Sequence, residues 1–419
     1  MTAPATPHSR AAFRHRAFRY YWIAQLVSFM GTFMQQVALG YLVYALTGSK
    51  WLLGATAALQ MGPSLLLSLP AGVLADRVQR RHLIMVTQSS ALLLAFSLAT
   101  LIALNRLQVW EILLISTLSG VAIAVESPTR QAFVVDLVGK EDLANAIAWN
   151  SLVLNGARVL GPALGGVVIR FGGVAPIFYF NSFSFLAVIV ALLLMRLPDN
   201  RRSTTRHPWE ELREGLGYLR RSPALMLLLG LMGTIALFAM NFSVLMPIVA
   251  RDVFHTGAVG LGWMWSALGI GAVVGSITVV RWSRFALAGP LLLVAAFVTG
   301  AGEIALASVH VLSLALVALV AVGWSTGTFF AGINSAIQAR IQDAFRGRVL
   351  SVYSMIFSGT GPLGGLFAAG LAGAGGASLS LAVAGAISVV APLAAWPLAG
   401  RYLQPAVSSD PHRVSHAAS

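Results

Sequence analysis

Twelve long apolar segments, separated by short polar connections, make up most of the chain. They lie near residues 18–46, 50–75, 82–104, 109–135, 144–170 and 174–196, and then near 223–249, 258–281, 287–308, 311–338, 348–371 and 377–400. Each has about the length of a helix that crosses a bilayer, which takes roughly 20 residues. A helix satisfies its backbone polar groups within one segment, as lipid requires. The pattern therefore predicts an all-α membrane protein with twelve transmembrane helices.

A repeated motif relates the first six segments to the last six. "GPALGG" at residues 161–166 recurs as "GPLGG" at 361–365, and each copy lies in the fifth apolar segment of its half. A match at the same place in both halves favours an internal duplication. We therefore expect two pseudo-symmetric six-helix bundles.

The one long polar stretch between apolar segments supplies the boundary between the halves. It contains Trp209 to Arg221, which could form an amphipathic helix on the membrane surface. The predicted regions are an N-terminal bundle at 1–196, a cytoplasmic linker at 197–222, a C-terminal bundle at 223–401 and a disordered cytoplasmic tail at 402–419.

Composition supports membrane burial and limits the other classes of function. Hydrophobic residues make up 57% of the chain and charged residues 10%, which leaves no room for a soluble catalytic domain. The net charge of +14 is spread over short connections and not gathered on one face, which argues against nucleic-acid binding. With no Cys, no metal-ligand spacing of His and no phosphate-binding glycine loop, we expect neither an enzyme nor a cofactor or metal site.

The basic residues predict the orientation in the membrane. If both termini lie on one side, 23 of the 28 Lys and Arg residues fall on that side, four on the other, and Arg158 within a span. Lys and Arg accumulate in cytoplasmic loops. We therefore expect a multi-pass protein of the cell (inner) membrane with both termini in the cytoplasm.

The connection after the second segment carries the clearest motif. It reads "AGVLADRVQRRHLI" and resembles the signature of the major facilitator superfamily between helices 2 and 3. The residues at the family's glycine, acidic and basic positions are Gly72, Asp76, Arg77, Arg80 and Arg81, while Gln79 replaces a second glycine. "VALGYLVYALTGS", "ESPTRQAFVVDLVG" and "NGARVLGPALGG" resemble the branch of enterobactin-type and macrolide-type exporters.

The resemblance implies that this loop is a gate. Asp76 would accept hydrogen bonds from free N–H groups at the start of helix 11, near Arg348, where the helix dipole favours an anion. The contact would close the cytoplasmic side. The alternative is a basic loop that only sets topology, with Asp76 as a helix cap.

The motif in helix 5 resembles the antiporter motif of the same superfamily. Small residues let helix backbones approach closely, and proline bends a helix. We expect Gly161, Pro162, Gly165 and Gly166 to form a tight, kinked contact with the other half, with ordinary helix packing as the alternative.

Four ionisable residues at membrane depth are candidates for proton coupling or charge relay: Glu126, Arg130, Arg158 and Glu303. Glu126 could carry a proton, act as a gate partner of Arg77 or Arg80, or simply pair with Arg130 one helical turn away. Arg158 could bind an anionic substrate or hold Glu126. Glu303 could titrate within its span or lie solvated at the outer mouth.

Amides and aromatic rings along the inner helices predict the lining of a cavity. The substrate-cavity candidates are Gln25, Phe29, Phe33, Gln36, Asn150, Asn155 and Asn241. Such a lining suits a bulky amphiphilic ligand.

The resulting prediction is a monomeric secondary active transporter that exports an amphiphilic small molecule, drug-like or siderophore-like, by proton antiport with alternating access. The alternatives are an uptake or lipid-flipping transporter of the same fold, or a membrane sensor that binds without translocating.

Overall fold

The computed structural model describes residues 11–139, 141–195, 208–282, 289–342 and 345–403, and within these ranges the regular structure is helical. After a short 3-10 turn the helices are α1 (Arg16–Thr47), α2 (Lys50–Arg77), α3 (Arg80–Ala103), α4 (Val109–Val138), α5 (Leu143–Gly172), α6 (Ala175–Leu194), α7 (Pro208–Arg220), α8 (Pro223–Phe238), α9 (Phe242–Ile248), α10 (Gly257–Arg281), α11 (Pro290–Ser308), α12 (Leu312–Gln338) and α13 (Arg346–Tyr402).

The helices match the predicted apolar segments within about four residues at each end. Helix α13 runs through two predicted segments and breaks between them at Gly375 and Gly376. Gly376 has a φ of 80°, which glycine adopts without steric cost. We call the two parts α13a (346–374) and α13b (377–402), and they correspond to the predicted eleventh and twelfth helices.

The seventh predicted helix is interrupted. It consists of α8, α9 and a π-helical turn at Val249–Val253, with a break around Asn241. The side-chain amide of Asn241 donates to the carbonyl oxygens of Leu237 and Phe238, at 2.8 Å and 3.0 Å. These bonds satisfy backbone groups that the interruption would leave unpaired inside the membrane.

Within the described residues, ten helical stretches are long and apolar enough to cross a membrane. One of these stretches is the combined α8, α9 and π turn, and another is the whole of α13. Dividing α13 at its break and adding α2, a 28-residue helix that contains Pro63 and Pro70, gives the twelve predicted helices. The chain is an all-α membrane protein.

Contacts between distant segments define the two ends of the bundle. His15, before α1, lies 2.8 Å from Asp142, before α5. Arg340, after α12, donates to the carbonyl oxygen of Leu403 at 3.1 Å. We call this end the termini face, and the opposite end, where α1 meets α2, the far face.

The first copy of the repeated motif packs against one helix of its own half and one of the other half. A Cβ on Gly161 would lie 2.8 Å from Phe33 Cβ in α1, and Gly165 lies against Met34 of the same helix. In contrast, Gly166 lies against α10, and a Cβ on Gly262 of α10 would lie 2.6 Å from the carbonyl oxygen of Pro162. The first span of the same half and the second span of the other half thus meet this motif.

The second copy makes the equivalent contacts. In α13a, Gly364 lies against Leu237 of α8, the first span of its own half. Gly361 and Gly365 lie against Met61 and Ala57 of α2, the second span of the other half. The duplicated sequence therefore occupies equivalent places in the two halves.

Among the described residues, the apolar core forms three clusters of buried residues, each near one end of the bundle. One cluster, at the far face, draws residues from both halves, including Val37 and Leu42 of α1 and Leu245 of α9. A second, at the termini face, contains residues of the C-terminal half and Leu219 of α7. The third, also at the termini face, contains residues of the N-terminal half alone, such as Phe133. The halves therefore share one core at the far face and have separate cores at the termini face.

Candidate functional site

The two halves meet mainly through α2 with α13a and through α5 with α10. Ser266 of α10 donates to the carbonyl oxygen of Val159 in α5 at 2.7 Å. Small residues let the backbones approach: a Cβ on Gly166 would lie 2.6 Å from the carbonyl oxygen of Ala258. These contacts use the part of α5 nearer the far face. We call the region between the two halves on the termini side of these contacts the central space.

A polar cluster joins the halves at the far face. The Tyr44 hydroxyl donates to Asp252 at 2.6 Å, and Arg251 donates to the Tyr44 carbonyl oxygen at 2.6 Å. Lys50 lies 3.8 Å from the Asp252 carboxylate and donates to the carbonyl oxygen of Ala372 at 3.2 Å. We call Tyr44, Lys50, Arg251 and Asp252 the far-face latch.

Sequence reasoning missed this latch. It counted Lys50 and Arg251 only as charges outside the membrane and did not single out Tyr44 or Asp252. An Arg-Asp pair at the end of the seventh span was the available signal. Its partners, however, lie about 200 residues away in the sequence, and no local pattern links them.

In the centre of the N-terminal half, two guanidinium groups approach two rings on one face of α1. Phe29 and Phe33 lie one helical turn apart. The Cζ atom of Arg130 lies 4.8 Å from the Phe29 ring centroid, and that of Arg158 lies 5.8 Å from the Phe33 centroid. Both distances are within the range of cation–π attraction.

Arg130 and Glu126 form an ion pair. Their closest atoms are 3.3 Å apart, and Gln88 of α3 donates to the same carboxylate oxygen at 2.9 Å. Glu126 is only 9% exposed, so the pairing offsets the cost of burying its charge. This geometry favours the structural pair among the three interpretations of Glu126.

The interpretation of Glu126 as a gate partner requires it to pair with Arg77 or Arg80, and Arg80 has a different partner. Arg80 donates to both carboxylate oxygens of Asp136, at 2.9 Å and 3.1 Å, near the termini face. In this conformation Arg80 therefore pairs with Asp136, and the interpretation of Glu126 as a gate partner of Arg77 or Arg80 stays a prediction. Asp136 is ten residues further along α4 than Glu126, so it lies closer to the loop between α2 and α3, after which Arg80 begins α3.

Arg158 is exposed and has no carboxylate within ion-pair distance in the described part of the chain. It does not face lipid. The outward stripe of α5 consists of the exposed residues Leu160, Leu164, Val167 and Phe171. At about 100° per residue, Arg158 lies roughly opposite that stripe, between α1 and α10.

Glu303 of α11 is enclosed by protein. It is 1% exposed, and its Oε2 atom has no hydrogen-bond partner among the residues that the structure describes. Helix α11 packs against α12 and α13. No Asp, Glu, Lys, Arg or His occurs in α12 or at residues 377–400 of α13b. The alternative of a solvated group at the outer mouth is wrong, because the carboxyl group lies between helices.

The residues of the loop motif lie at the end of α2 and the start of α3. Arg77 is exposed, and Arg81 donates to the carbonyl oxygen of Leu193 at 3.4 Å. Gln79 has a φ of −59°, so this turn does not require the glycine that the family pattern usually has. Gly72 is half-buried within α2.

The predicted contact of Asp76 with the start of helix 11 stays a prediction, because the Asp76 side chain lies outside the described part of the structure. The start of that helix contacts α7: Arg348 lies 2.8 Å from Glu214, and Gly215 lies against the Arg348 backbone.

The cavity candidates separate into two groups. Phe29, Phe33 and Asn150 are half-buried, Gln36 is exposed, and the Asn155 amide donates to the Ser151 carbonyl oxygen at 2.9 Å. Gln25 and Asn241, in contrast, are buried at 3% exposure each. This corrects their expected place in the lining. Asn241 uses its amide at the helix break, and Gln25 is enclosed within the packing around α1.

Among the described residues, no group of three His, Cys, Asp or Glu side chains could hold a metal ion.

Comparison with known proteins relates these features to transporters. The chain is 26% identical over 343 residues to the enterobactin exporter EntS of Shigella boydii serotype 4 (strain Sb227), covering 81% of each chain. It is 24% identical over 356 residues to the staphyloferrin A transporter of Staphylococcus aureus (strain NCTC 8325 / PS 47), covering 83% of this chain and 87% of that one.

Solved structures share the fold at low identity. A bacterial homologue of the human lysosomal transporter Spinster matches with a TM-score of 0.73 at 15% identity, covering 93% of this chain and 98% of that one. The nucleoside transporter NupG matches with a TM-score of 0.71 at 13% identity, covering 91% and 99%. The sequence profile described as transmembrane secretion effector matches residues 7–411. The chain therefore belongs to the transmembrane secretion effector family of major facilitator superfamily transporters.

Proposed function

We propose that the protein exports an amphiphilic, siderophore-like small molecule by alternating access, in exchange for protons. The observation that carries this proposal is the arrangement of the core: one cluster shared by both halves at the far face and separate clusters at the termini face. Two halves joined at one end can rock about the central space, which is how duplicated transporters move a substrate.

The direction of transport follows from the charges. The basic residues concentrate at the termini face, which is therefore the cytoplasmic face of the inner membrane. In this orientation the far-face latch closes the outer side. A substrate would enter the central space from the cytoplasm, and the opening of the latch would release it outside.

The substrate class is supported by the relatives and by the charges of the central space. The relatives are named as an enterobactin exporter and a staphyloferrin A transporter. Oxygen anions are the ligands that hard cations prefer, so an iron chelator of this kind is anionic. Arg158 supplies a positive charge that no carboxylate among the described residues compensates.

Proton exchange needs a group that can change its protonation with conformation. Glu303 meets this requirement better than Glu126, because Glu126 has Arg130 and Gln88 as partners while Glu303 has none at Oε2. The loop motif around Asp76 would close the cytoplasmic side in the opposite state. The protein acts as a monomer, since each chain encloses its own central space between two halves.

The test is transport by the purified full-length protein in liposomes. Enterobactin and staphyloferrin A are supplied on the termini side, with an imposed gradient that makes the opposite compartment acidic. Export by antiport predicts that substrate crosses faster with the gradient than without it, and that an ionophore that dissipates the gradient abolishes the difference. Binding without flux would indicate a sensor. Flux that is faster with the reversed gradient would mean that substrate and protons move in the same direction, which in the cell would be uptake.

A further inference from the structure

Arg158 and Phe33 lie where a ligand in the central space would meet them. Arg158 is exposed on the side of α5 opposite the lipid-facing stripe, and its Cζ atom lies 5.8 Å from the Phe33 ring centroid. The second pair, Arg130 and Phe29, lies one turn along the same face of α1. The space therefore has two aromatic faces and two guanidinium groups along one wall.

The charges on this wall do not cancel. Glu126 neutralises Arg130 through the 3.3 Å ion pair, and Gln88 holds the carboxylate in place. Arg158 has no equivalent partner among the described residues. A guanidinium at membrane depth is costly unless an anion compensates it. The wall therefore carries a net positive charge at Arg158, which would attract a negatively charged group.

The side chains of this wall favour a ligand that carries both a negative charge and an aromatic ring. A guanidinium presents parallel N–H donors that match the two oxygens of a carboxylate. Phe33 and Phe29 offer ring faces for an aromatic group attached to that anion. An aliphatic or cationic ligand would use only part of this surface.

We propose that Arg158, with Phe33 beside it and Phe29 one helical turn along α1, is the recognition site for an aromatic carboxylate group of the substrate. The proposal rests on the proposed transport function, because it takes the central space as the substrate path. It adds the chemical class of the recognised group and the residue that selects it.

The experiment measures binding, so it does not depend on flux. The full-length protein in lipid nanodiscs is titrated by calorimetry with 2,3-dihydroxybenzoate and with its neutral amide, 2,3-dihydroxybenzamide. These two probes have the same ring and nearly the same size and differ in one charge. Since a hydrogen bond to a charged group is strong in a partly desolvated site, wild-type protein should bind the acid roughly tenfold or more tightly than the amide.

Three variants assign the preference to Arg158. Arg158→Gln should bind the two probes equally, with its affinity for the amide unchanged. Arg158→Lys should keep part of the preference, because it retains the charge without the parallel donors. Arg170→Gln is the matched control: Arg170 lies on the same helix, 5.9 Å from the ring centroid of Phe171, but near the far end of α5 and outside the central space.

Several results would overturn the proposal. The first is a wild-type protein that binds neither probe or binds both equally well. The second is an Arg158→Gln variant that still prefers the acid. The third is an Arg158→Gln variant that also loses its affinity for the neutral amide, which would mean that Arg158 has a structural role. These results are separable from a failure of the transport function. If the acid preference depends on Arg158 but liposomes show no flux, the recognition site stands and export is wrong.

Discussion

At the scale of single residues, Glu126 and Glu303, the two buried acids among the described residues, have opposite environments. Glu126 has a guanidinium and an amide as partners, so its charge is satisfied where it lies. Glu303 is 1% exposed, and no charged residue occurs in α12 or at residues 377–400, which pack against its helix. A buried carboxylate without a partner is strongly disfavoured. In the proposed proton antiport, Glu303 is therefore the candidate whose protonation would change with the packing around it.

Replacing Glu303 with glutamine should separate transport from the proton gradient. The amide has nearly the volume of the carboxylic acid, so the fold should be kept. Unlike the acid, the amide cannot release a proton. We expect gradient-driven flux in liposomes to fall by roughly tenfold or more, while substrate exchange without a gradient continues. The exposed Glu141 supplies the control variant, Glu141→Gln. Unchanged gradient-driven flux in Glu303→Gln would remove Glu303 from the coupling mechanism.

At the scale of helices, the close contact between α5 and α10 holds the far-face side of the two halves together. It depends on the absence of side chains at Gly166 and Gly262, each of which lies against the backbone of the other helix. Small residues at helix interfaces permit this approach in membranes, where packing replaces the hydrophobic driving force. A side chain at either position must separate the halves or deform a helix.

Gly262→Val should therefore favour a conformation that is more open at the far face. Because the chain contains no Cys, a single Cys in place of Ala250 reports the opening by its labelling rate: Ala250 lines the cleft beside Tyr44 at the far face and is only 2% exposed here. We expect faster labelling in Gly262→Val and an unchanged rate in Gly230→Val, since Gly230 of α8 has open space around its Cβ position. Equal rates in both variants would mean that this contact does not control the far face.

A second helix-level prediction concerns the termini face. If the Asp76 carboxylate binds the start of α13a when the cytoplasmic side closes, Asp76→Asn weakens that closure because the neutral amide loses the attraction to the helix dipole. We expect slower flux and faster labelling of a Cys placed in the central space from the termini side. Unchanged flux and labelling would show that the loop sets topology alone.

At the scale of the whole molecule, the far-face latch links the first and second spans of one half to the seventh and eleventh of the other. Its contacts join residues more than 200 positions apart, through Tyr44 to Asp252 and Lys50 to Ala372. Alternating access requires such contacts to break and re-form in each cycle. In the proposed alternating-access cycle, their strength would set the balance between the two conformations.

Tyr44→Phe removes one bond of the latch and keeps the ring. A hydrogen bond to a charged group contributes about 1.5–3 kcal/mol, so the balance should shift toward the open far face by roughly tenfold or more. Labelling of the Cys at position 250, which is buried in this conformation, measures the shift. Tyr179→Phe is the matched control, because that hydroxyl lies 3.1 Å from Thr100 within one half. The latch would have no role in gating if both variants labelled at the wild-type rate.

The sequence by itself determined the membrane helices, their approximate ends and the duplicated halves. Length and hydropathy decide whether a segment crosses a bilayer, and both are local properties that can be read from each segment in turn. The repeated motif marked equivalent positions because duplication preserves the places where helices must approach closely. The break at Asn241 was missed, since its side-chain bonds to Leu237 and Phe238 keep an interrupted helix satisfied in lipid.

Only the tertiary structure decided which charges are compensated. Arg80 pairs with Asp136, and Arg130 pairs with Glu126. Arg158 faces the central space and has no carboxylate partner among the described residues. The latch partners and the enclosure of Glu303 likewise depend on how helices from distant parts of the chain pack together. Electrostatic energy depends on distance and burial in three dimensions, and neither quantity is contained in the spacing of residues along one helix.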